Sequence, residues 1–177
     1  MIWSSASRMP NLTPLTDIAD YHADAEASLR LYFSNSCPEY QTRFTGYTPS
    51  EVAVELTERV EETEMRSTFV VLARVEAAFR RDYKARAASK RADPISVEFR
   101  KLHKNRGDRA AFEGGILEVW RQQLVATDRK FISQLRGMFK YRHWLAHGRN
   151  WNRGAQHSFQ DVYLLADVII SSFDLVD

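Results

Sequence analysis

The sequence predicts an all-α protein, a helical bundle of long core helices with short additional helices. Seven glycines and five prolines in 177 residues are few for a fold rich in tight turns. Apolar side chains recur at helical spacing, and no segment has the alternation typical of a strand. With 44% hydrophobic residues the chain can bury a core, and its length suits a single domain, residues 1–177.

The first helix is predicted to follow an irregular N-terminal arm. Pro10 and Pro14 mark this arm, which we assign to residues 1–14. A helix is then expected from about Leu15 to Phe33. Residues 36–48 are expected to form a loop, because a proline and a glycine punctuate them.

The sequence indicates clearly where the second helix begins, but it leaves the length of that helix undecided. Thr48-Pro49-Ser50-Glu51 is a good N-terminus, since Thr48 can cap, proline suits the first helical position and Glu51 closes a capping box. Neither glycine nor proline follows before Pro94. The interval is therefore one long helix or two helices, and the polar run at residues 61–64 is the expected break.

Two shorter helices are predicted next. Asp93-Pro94 starts a helix that runs to about Lys104, and residues 105–108 form a turn. A helix from about Gly115 to Ala126 follows, because its apolar residues lie on one side.

Two further helices complete the predicted bundle. Thr127 or Asp128 is expected to cap a helix that ends near Ala146, just before Gly148, where a C-terminal glycine is typical. Ser158, with an aspartate three residues later, is expected to open the last helix. The predicted buried stripe of that helix consists of Phe159, Val162, Ala166, Ile169 and Phe173.

The charges are arranged in blocks, although the formal net charge is only +2. That total argues against a uniformly basic nucleic-acid coat protein and against an acidic tail. Residues 80–109 hold 11 basic and 4 acidic residues, which we interpret as a solvated face, with RNA binding as the alternative. Residues 129–160 hold seven basic residues and no acidic residue, a composition that would attract a phosphate backbone.

Cysteine content and hydropathy indicate a cytoplasmic protein. The single Cys37 excludes an intrachain disulfide framework, and we interpret it as an inert thiol in a reducing compartment. The N-terminus has no apolar run long enough for a signal peptide. The most apolar stretch, residues 162–173, is too short to span a bilayer and contains Asp167, so no membrane partner is expected.

Arg142 occupies an unusual position in this sequence. It falls within an apolar stripe of its helix, where burying an unpaired guanidinium would cost several kcal/mol, roughly. It must therefore pair with a carboxylate from another helix, line a cleft or face a second subunit. The stripe residues are Phe131, Leu135, Met138 and Leu145, and the candidate carboxylates are Glu113, Glu118 and Asp161.

His147 follows Arg142 by five residues, which on an ideal helix separates the two side chains by about 140°. They converge only if the helix ends before His147 or if a second copy of the chain supplies one of them. A His–Arg pair suits phosphodiester cleavage, because imidazole transfers protons near neutral pH and guanidinium stabilises negative charge on phosphate. RNA supplies its own 2′-hydroxyl nucleophile, so no metal or other cofactor is expected.

The segment Tyr141-Arg142-His143-Trp144-Leu145-Ala146-His147 resembles the R-polar-x-x-x-H motif of the HEPN superfamily. The resemblance implies a small all-helical, HEPN-like domain, with the motif-bearing part at about residues 110–177, that forms a homodimer. Many members are metal-independent endoribonucleases in toxin–antitoxin, antiviral and RNA-processing systems. Arg142 and His147 would then be catalytic, and His143 would hold the polar position, where Asn or Asp is commoner.

The basic surround of the motif supplies candidate RNA contacts, namely Lys140, Tyr141, Arg149 and Arg153. Trp144 and Trp151 could stack on unpaired bases, but packing is the commoner role of tryptophan.

The sequence leaves three alternatives open. His147 could be a polar residue at a helix C-terminus that interacts with exposed carbonyls. His143 and His147, spaced by four residues, could bind a metal, with His157 as a third ligand. The chain could also be a non-catalytic helical module that binds RNA or a protein such as an antitoxin.

Overall fold

The computed structural model describes residues 12–147 and 157–176, and within these ranges the regular elements are helices without a strand. The all-α prediction is therefore confirmed. Residues 1–11 of the predicted arm lie outside the described residues. The α-helices are α1 (Leu15–Tyr32), α2 (Tyr40–Arg43), α3 (Pro49–Ala88), α4 (Pro94–Arg106), α5 (Leu117–Gln123), α6 (Ala126–Ala146) and α7 (Phe159–Ser172).

Helix α3 is the axis of the fold, a single helix of 40 residues. The predicted capping box is present: the Glu51 amide donates to Thr48 Oγ1 at 3.3 Å, and the Thr48 amide donates to Glu51 Oε2 at 2.7 Å. Of the two alternatives for this interval, the structure contains the single long helix, and the break at residues 61–64 does not occur. Polar residues other than glycine and proline are compatible with a helix interior, and Glu62 forms an ion pair of 3.0 Å with Arg66 one turn later.

The main core lies where α1, α4, α6 and α7 pack against the C-terminal half of α3. All five residues of the predicted α7 stripe are buried. Each fully buried large apolar side chain contributes roughly 1.5–3 kcal/mol. The contribution of α3 comes from Val71, Leu72, Val75, Phe79 and Tyr83, and that of α6 from Ile132, Leu135 and Phe139.

A second, smaller core lies near the start of α3 and consists of Phe33, Phe44 and Val52. The short helix α2 lies within the predicted loop 36–48. Gly46 adopts φ of 85°, a conformation that glycine reaches without steric cost. None of the described helices is long and apolar enough to cross a membrane.

The connection between α4 and α6 differs from the prediction. A turn does occur at Gly107, whose φ is 53°. The single helix expected from Gly115 to Ala126 is instead a π-helical turn, Phe112–Ile116, followed by the short helix α5.

Helix α6 begins earlier than the sequence suggested. Its N-cap is Val125, whose side chain makes no capping hydrogen bond. The amide of Asp128 donates to the Val125 carbonyl at 3.0 Å, so the first turn is already closed at this point. Thr127 and Asp128 therefore lie inside the helix, and the prediction that one of them caps it was wrong.

The basic block at residues 80–109 is only in part a solvated face. Its four lysines are exposed, but Arg86 is only 2% exposed. The Arg86 Nε donates to Asp82 at 2.6 Å and Nη1 donates to Asp93 at 2.9 Å. The indole N–H of Trp120 donates to the second Asp82 oxygen at 2.9 Å. Most of the charge of this buried cluster is thus paired, as a low-dielectric interior requires.

The buried cluster also holds the C-terminal tail. Arg86 Nη2 donates to the Asp174 carbonyl and, at 3.1 Å, to its carboxylate. The Val176 amide donates to Asp82 at 2.9 Å. Burial raises the pKa of Asp82, while the hydrogen bonds from Val176 and Arg86 oppose that rise. The tail after α7 is therefore fastened to α3.

Candidate active site

Arg142 lies on the side of α6 that faces α3. Its Nη1 is 2.9 Å from Oε2 of Glu76, and the two side chains are 29% and 16% exposed. Of the three arrangements expected for this arginine, the structure contains the ion pair with a carboxylate from another helix. The carboxylate comes from Glu76 of α3, which was not among the candidates Glu113, Glu118 and Asp161.

Glu76 is shared between two guanidinium groups. While Oε2 contacts Arg142, Oε1 is 2.7 Å from Nε of Arg80, one turn further along α3. One carboxylate between two arginines leaves a surplus of positive charge. Glu76 therefore orients Arg142 without neutralising the region, and charge-assisted hydrogen bonds of this kind are strong and directional.

Two aromatic rings also contact the Arg142 guanidinium. Its central carbon is 5.2 Å from the ring centroid of Phe69 on α3 and 5.7 Å from that of Phe139 on α6. These distances fall within the range of cation–π interactions. The Arg142 Nε has no hydrogen-bond partner among the described residues. Arginine thus sits in the apolar stripe because aromatic faces and one carboxylate together accommodate its charge.

His147 is the first residue beyond α6. The helix ends at Ala146, as predicted, and His147 has φ of −99° and ψ of 26°. Its amide donates to the His143 carbonyl at 3.1 Å, and the two imidazole ring centroids are 4.1 Å apart. Both histidines are exposed. The structure therefore brings His143 and His147 together at the surface; Gly148 lies outside the described residues.

The predicted RNA contacts differ in their exposure. Lys140 is exposed, whereas Tyr141 and Trp144 are only 5% and 8% exposed. Their rings stack at a centroid distance of 5.7 Å with an interplanar angle of 16°. Trp144 thus has the packing role, and RNA binding by Tyr141 stays a prediction. Arg149, Trp151 and Arg153 lie outside the described residues.

A cavity of about 380 Å³ opens beside this motif, between α3 and the end of α6. Most of its lining is apolar: Met65, Arg66, Phe69 and Val70 from α3, and Leu145 and Ala146 from α6. Sequence reasoning missed this cavity and the role of Glu76. The spacing of Glu76 and Arg80 by four residues was the only local signal, since it marks an intrahelical ion pair.

The alternative of a metal site at His143 and His147 depends on a third ligand, for which His157 was the candidate. His157 packs its ring edge-on against Tyr141, with centroids 6.0 Å apart. Over residues 12–147 and 157–176, no group of three or more His, Cys, Asp or Glu side chains could hold a metal ion.

Comparisons of the chain with protein-family models, with curated proteins and with solved structures found no match.

Proposed function

We propose that this chain is a metal-independent endoribonuclease of the HEPN type. It acts on RNA in the cytoplasm as a homodimer, in a toxin–antitoxin or phage-defence setting. The observation that carries the proposal is the pair of exposed imidazoles at the end of the helix that carries Arg142, since the ring centroids of His143 and His147 are 4.1 Å apart. His147 is the first residue after α6, and it shares one basic segment with Arg142.

The proposed reaction needs only RNA and these side chains. His147 accepts the proton of the 2′-hydroxyl, whose oxygen then attacks the adjacent phosphorus. The P–O5′ bond breaks, and the 5′-oxygen takes a proton from the protonated imidazole of His147. Arg142 binds the non-bridging oxygens and stabilises the extra negative charge of the transition state. The products are a 2′,3′-cyclic phosphate and a 5′-hydroxyl end.

The homodimer would bring two copies of the motif to one cleft. The surplus positive charge around Glu76 and the exposed Lys140 favour a polyanionic ligand at this end of the molecule. His143, whose ring lies next to that of His147, would fill the polar position of the motif.

The test is RNA cleavage by purified protein in EDTA. The expected result is cutting with 2′,3′-cyclic phosphate ends by wild type and by the control variant Arg106→Ala, an exposed basic residue. His147→Ala should cut at least about 100-fold more slowly. Cleavage that appears only after metal is added, or an unchanged rate in His147→Ala, would contradict the proposal.

A second candidate is a non-catalytic helical module that binds RNA or an antitoxin-like protein. The observation that favours it is the Arg142–Glu76 ion pair, because a structural arginine needs such a partner. Expression in cells separates the two functions. Slow growth that Arg142→Ala or His147→Ala relieves supports the nuclease, whereas normal growth of cells expressing wild type supports the module.

A further inference from the structure

The cavity between α3 and the end of α6 has features of a ligand site. Its volume of about 380 Å³ lies within the range of roughly 300–1,000 Å³ common for small-ligand pockets. An aromatic ring, Phe69, forms part of the lining, together with the flexible apolar side chain of Met65 and the branched Leu145. Such a lining suits a flat, largely apolar ligand.

Two of the lining residues connect the cavity to the catalytic motif. Phe69 contacts the Arg142 guanidinium as well as the cavity. Ala146 lines the cavity and directly precedes His147. A ligand seated here would therefore contact the ring that packs against Arg142 and the residue that precedes His147.

We propose that this cavity, where the Phe69 ring meets the last turn of α6, binds an unpaired nucleobase adjacent to the scissile phosphate. This inference rests on the proposed function and deepens it. The two arginines that share Glu76 leave a surplus of positive charge, which attracts the phosphate. The apolar cavity binds the neighbouring base. An anionic chain that carries flat rings matches this combination of charge and lining better than a purely apolar partner would.

The lining also determines which nucleobases the subsite can distinguish. Its one charged residue, Arg66, already forms an ion pair with Glu62 at 3.0 Å. The base is therefore held by stacking and dispersion rather than by hydrogen bonds to its edges, so this subsite accepts any of the four bases. A base within a duplex is stacked on its neighbours and does not enter, which makes single-stranded RNA the substrate class.

The experiment uses the full chain and an oligonucleotide with one cleavable bond. A deoxyribonucleotide strand with a single ribonucleotide has one 2′-hydroxyl and so one scissile phosphate. An abasic residue is placed at each position next to that phosphate in turn. At one position we expect kcat/KM to fall about 10-fold, while exchanging the base there among all four changes it less than about 3-fold. Equal rates at every abasic position would overturn the proposal.

Phe69→Leu identifies the cavity as the origin of the effect. This variant keeps an apolar side chain but removes the ring, so the abasic penalty should shrink to less than about 3-fold. The ratio is taken within one protein, which cancels any loss of overall rate. Phe131→Leu, the same change at a half-buried position of α6, is the matched control and should retain the full penalty. An undiminished penalty in Phe69→Leu would contradict the assignment.

A binding measurement separates this inference from the proposed function. Fluorescence anisotropy with an all-deoxy strand, which cannot be cleaved by 2′-hydroxyl attack, should show the same abasic and Phe69→Leu effects on Kd. Those effects without any cleavage of the chimeric strand would refute the nuclease and support the subsite. Cleavage of the chimeric strand at a rate that does not depend on the abasic position would support the nuclease and refute the subsite, and binding that does not depend on that position would refute the subsite alone. If Leu145→Glu splits a dimer while the abasic ratio is unchanged, a second copy covers the cavity and the subsite is refuted.

Discussion

Glu76 holds Arg142 across the interface between α3 and α6, with Oε2 and Nη1 2.9 Å apart. The same carboxylate binds Arg80 at 2.7 Å. This contact ties the motif-bearing helix to the axis of the fold. It also keeps the guanidinium in one orientation, which is a requirement shared by a phosphate-binding arginine and a structural one.

Neutralising Glu76 separates these two roles. Glu76→Gln should lower the free energy of unfolding by about 1–2 kcal/mol, because a partly buried charged partner is lost. RNA cleavage should stay within about 3-fold of wild type, since the glutamine amide oxygen can still accept a hydrogen bond from Arg142 and so keep its orientation. Arg142→Ala should cause a similar loss of stability but lower the rate about 100-fold or more. The measurements are urea unfolding and cleavage in EDTA.

Glu98→Gln is the control for these substitutions, because Glu98 pairs only with the exposed Lys101 among the described contacts. It should leave stability within about 0.5 kcal/mol. If Glu76→Gln abolished cleavage while Arg142→Ala left it intact, the roles given to the two residues would be reversed.

Replacing His147 should lower the rate of RNA cleavage without changing the stability of the fold. Its side chain is exposed beyond the end of α6, so His147→Ala should change the free energy of unfolding by less than about 0.5 kcal/mol. The cleavage rate should fall by about 100- to 10,000-fold, the usual contribution of a general base. His143→Asn keeps a polar residue at its position and should retain more activity than His143→Ala. Equal activity of those two variants would remove the polar-position role.

Removing Arg86 should be more damaging than removing Glu76, Arg142 or Glu118. Arg86→Ala leaves the buried Asp82 without its guanidinium partner and should cost about 3–5 kcal/mol. The exposed Arg91→Ala is the control, with an expected change below about 0.5 kcal/mol. Chemical denaturation of both variants checks this, and a loss below about 1 kcal/mol in Arg86→Ala would show that Asp82 does not depend on Arg86 for its charge pairing.

Glu118 should make the free energy of unfolding depend on pH in the acidic range. The hydrogen bond from Arg121 is the main cause that lowers its pKa to about 2, and Arg136 of α6 lies 3.2 Å away. Because the folded pKa lies below the unfolded value of about 4.3, the stabilisation is present above pH 4.3 and is lost as the pH falls towards 2. Glu118→Gln should therefore cost up to about 1 kcal/mol at pH 7 and almost nothing at pH 2. A cost that is the same at both values would refute this linkage.

The features that the sequence predicted well are local ones. The capping box at Thr48 and the N-cap at Ser158 depend on residues three positions apart, and both are present. The end of α6 at Ala146 was likewise signalled by the glycine that follows. Local polarity was misleading at residues 61–64, because charged side chains are as compatible with a helix as with a break.

The features that escaped prediction depend on tertiary contacts. Nothing near Arg142 in sequence points to Glu76, since the contact exists only once α6 lies on α3. Nothing in the basic block distinguishes the buried Arg86 from its exposed neighbours, apart from an aspartate four residues before it. The cavity beside Phe69 is lined by residues of both α3 and α6, and a periodic pattern within one helix does not encode which helix packs against it.

The continuity of α3 has a consequence for local opening of the chain. Forty helical residues span about 60 Å, and the helix passes from the small core at Val52 to the large core around Phe79. Within residues 12–147 and 157–176, three buried side chains secure the first region, whereas more than twenty surround the second. Amide protons should therefore exchange fastest near the start of α3 and slowest between Val71 and Tyr83. Fraying that begins at the N-terminal end of α3, at Pro49, should therefore not extend to the helix turn that carries Glu76.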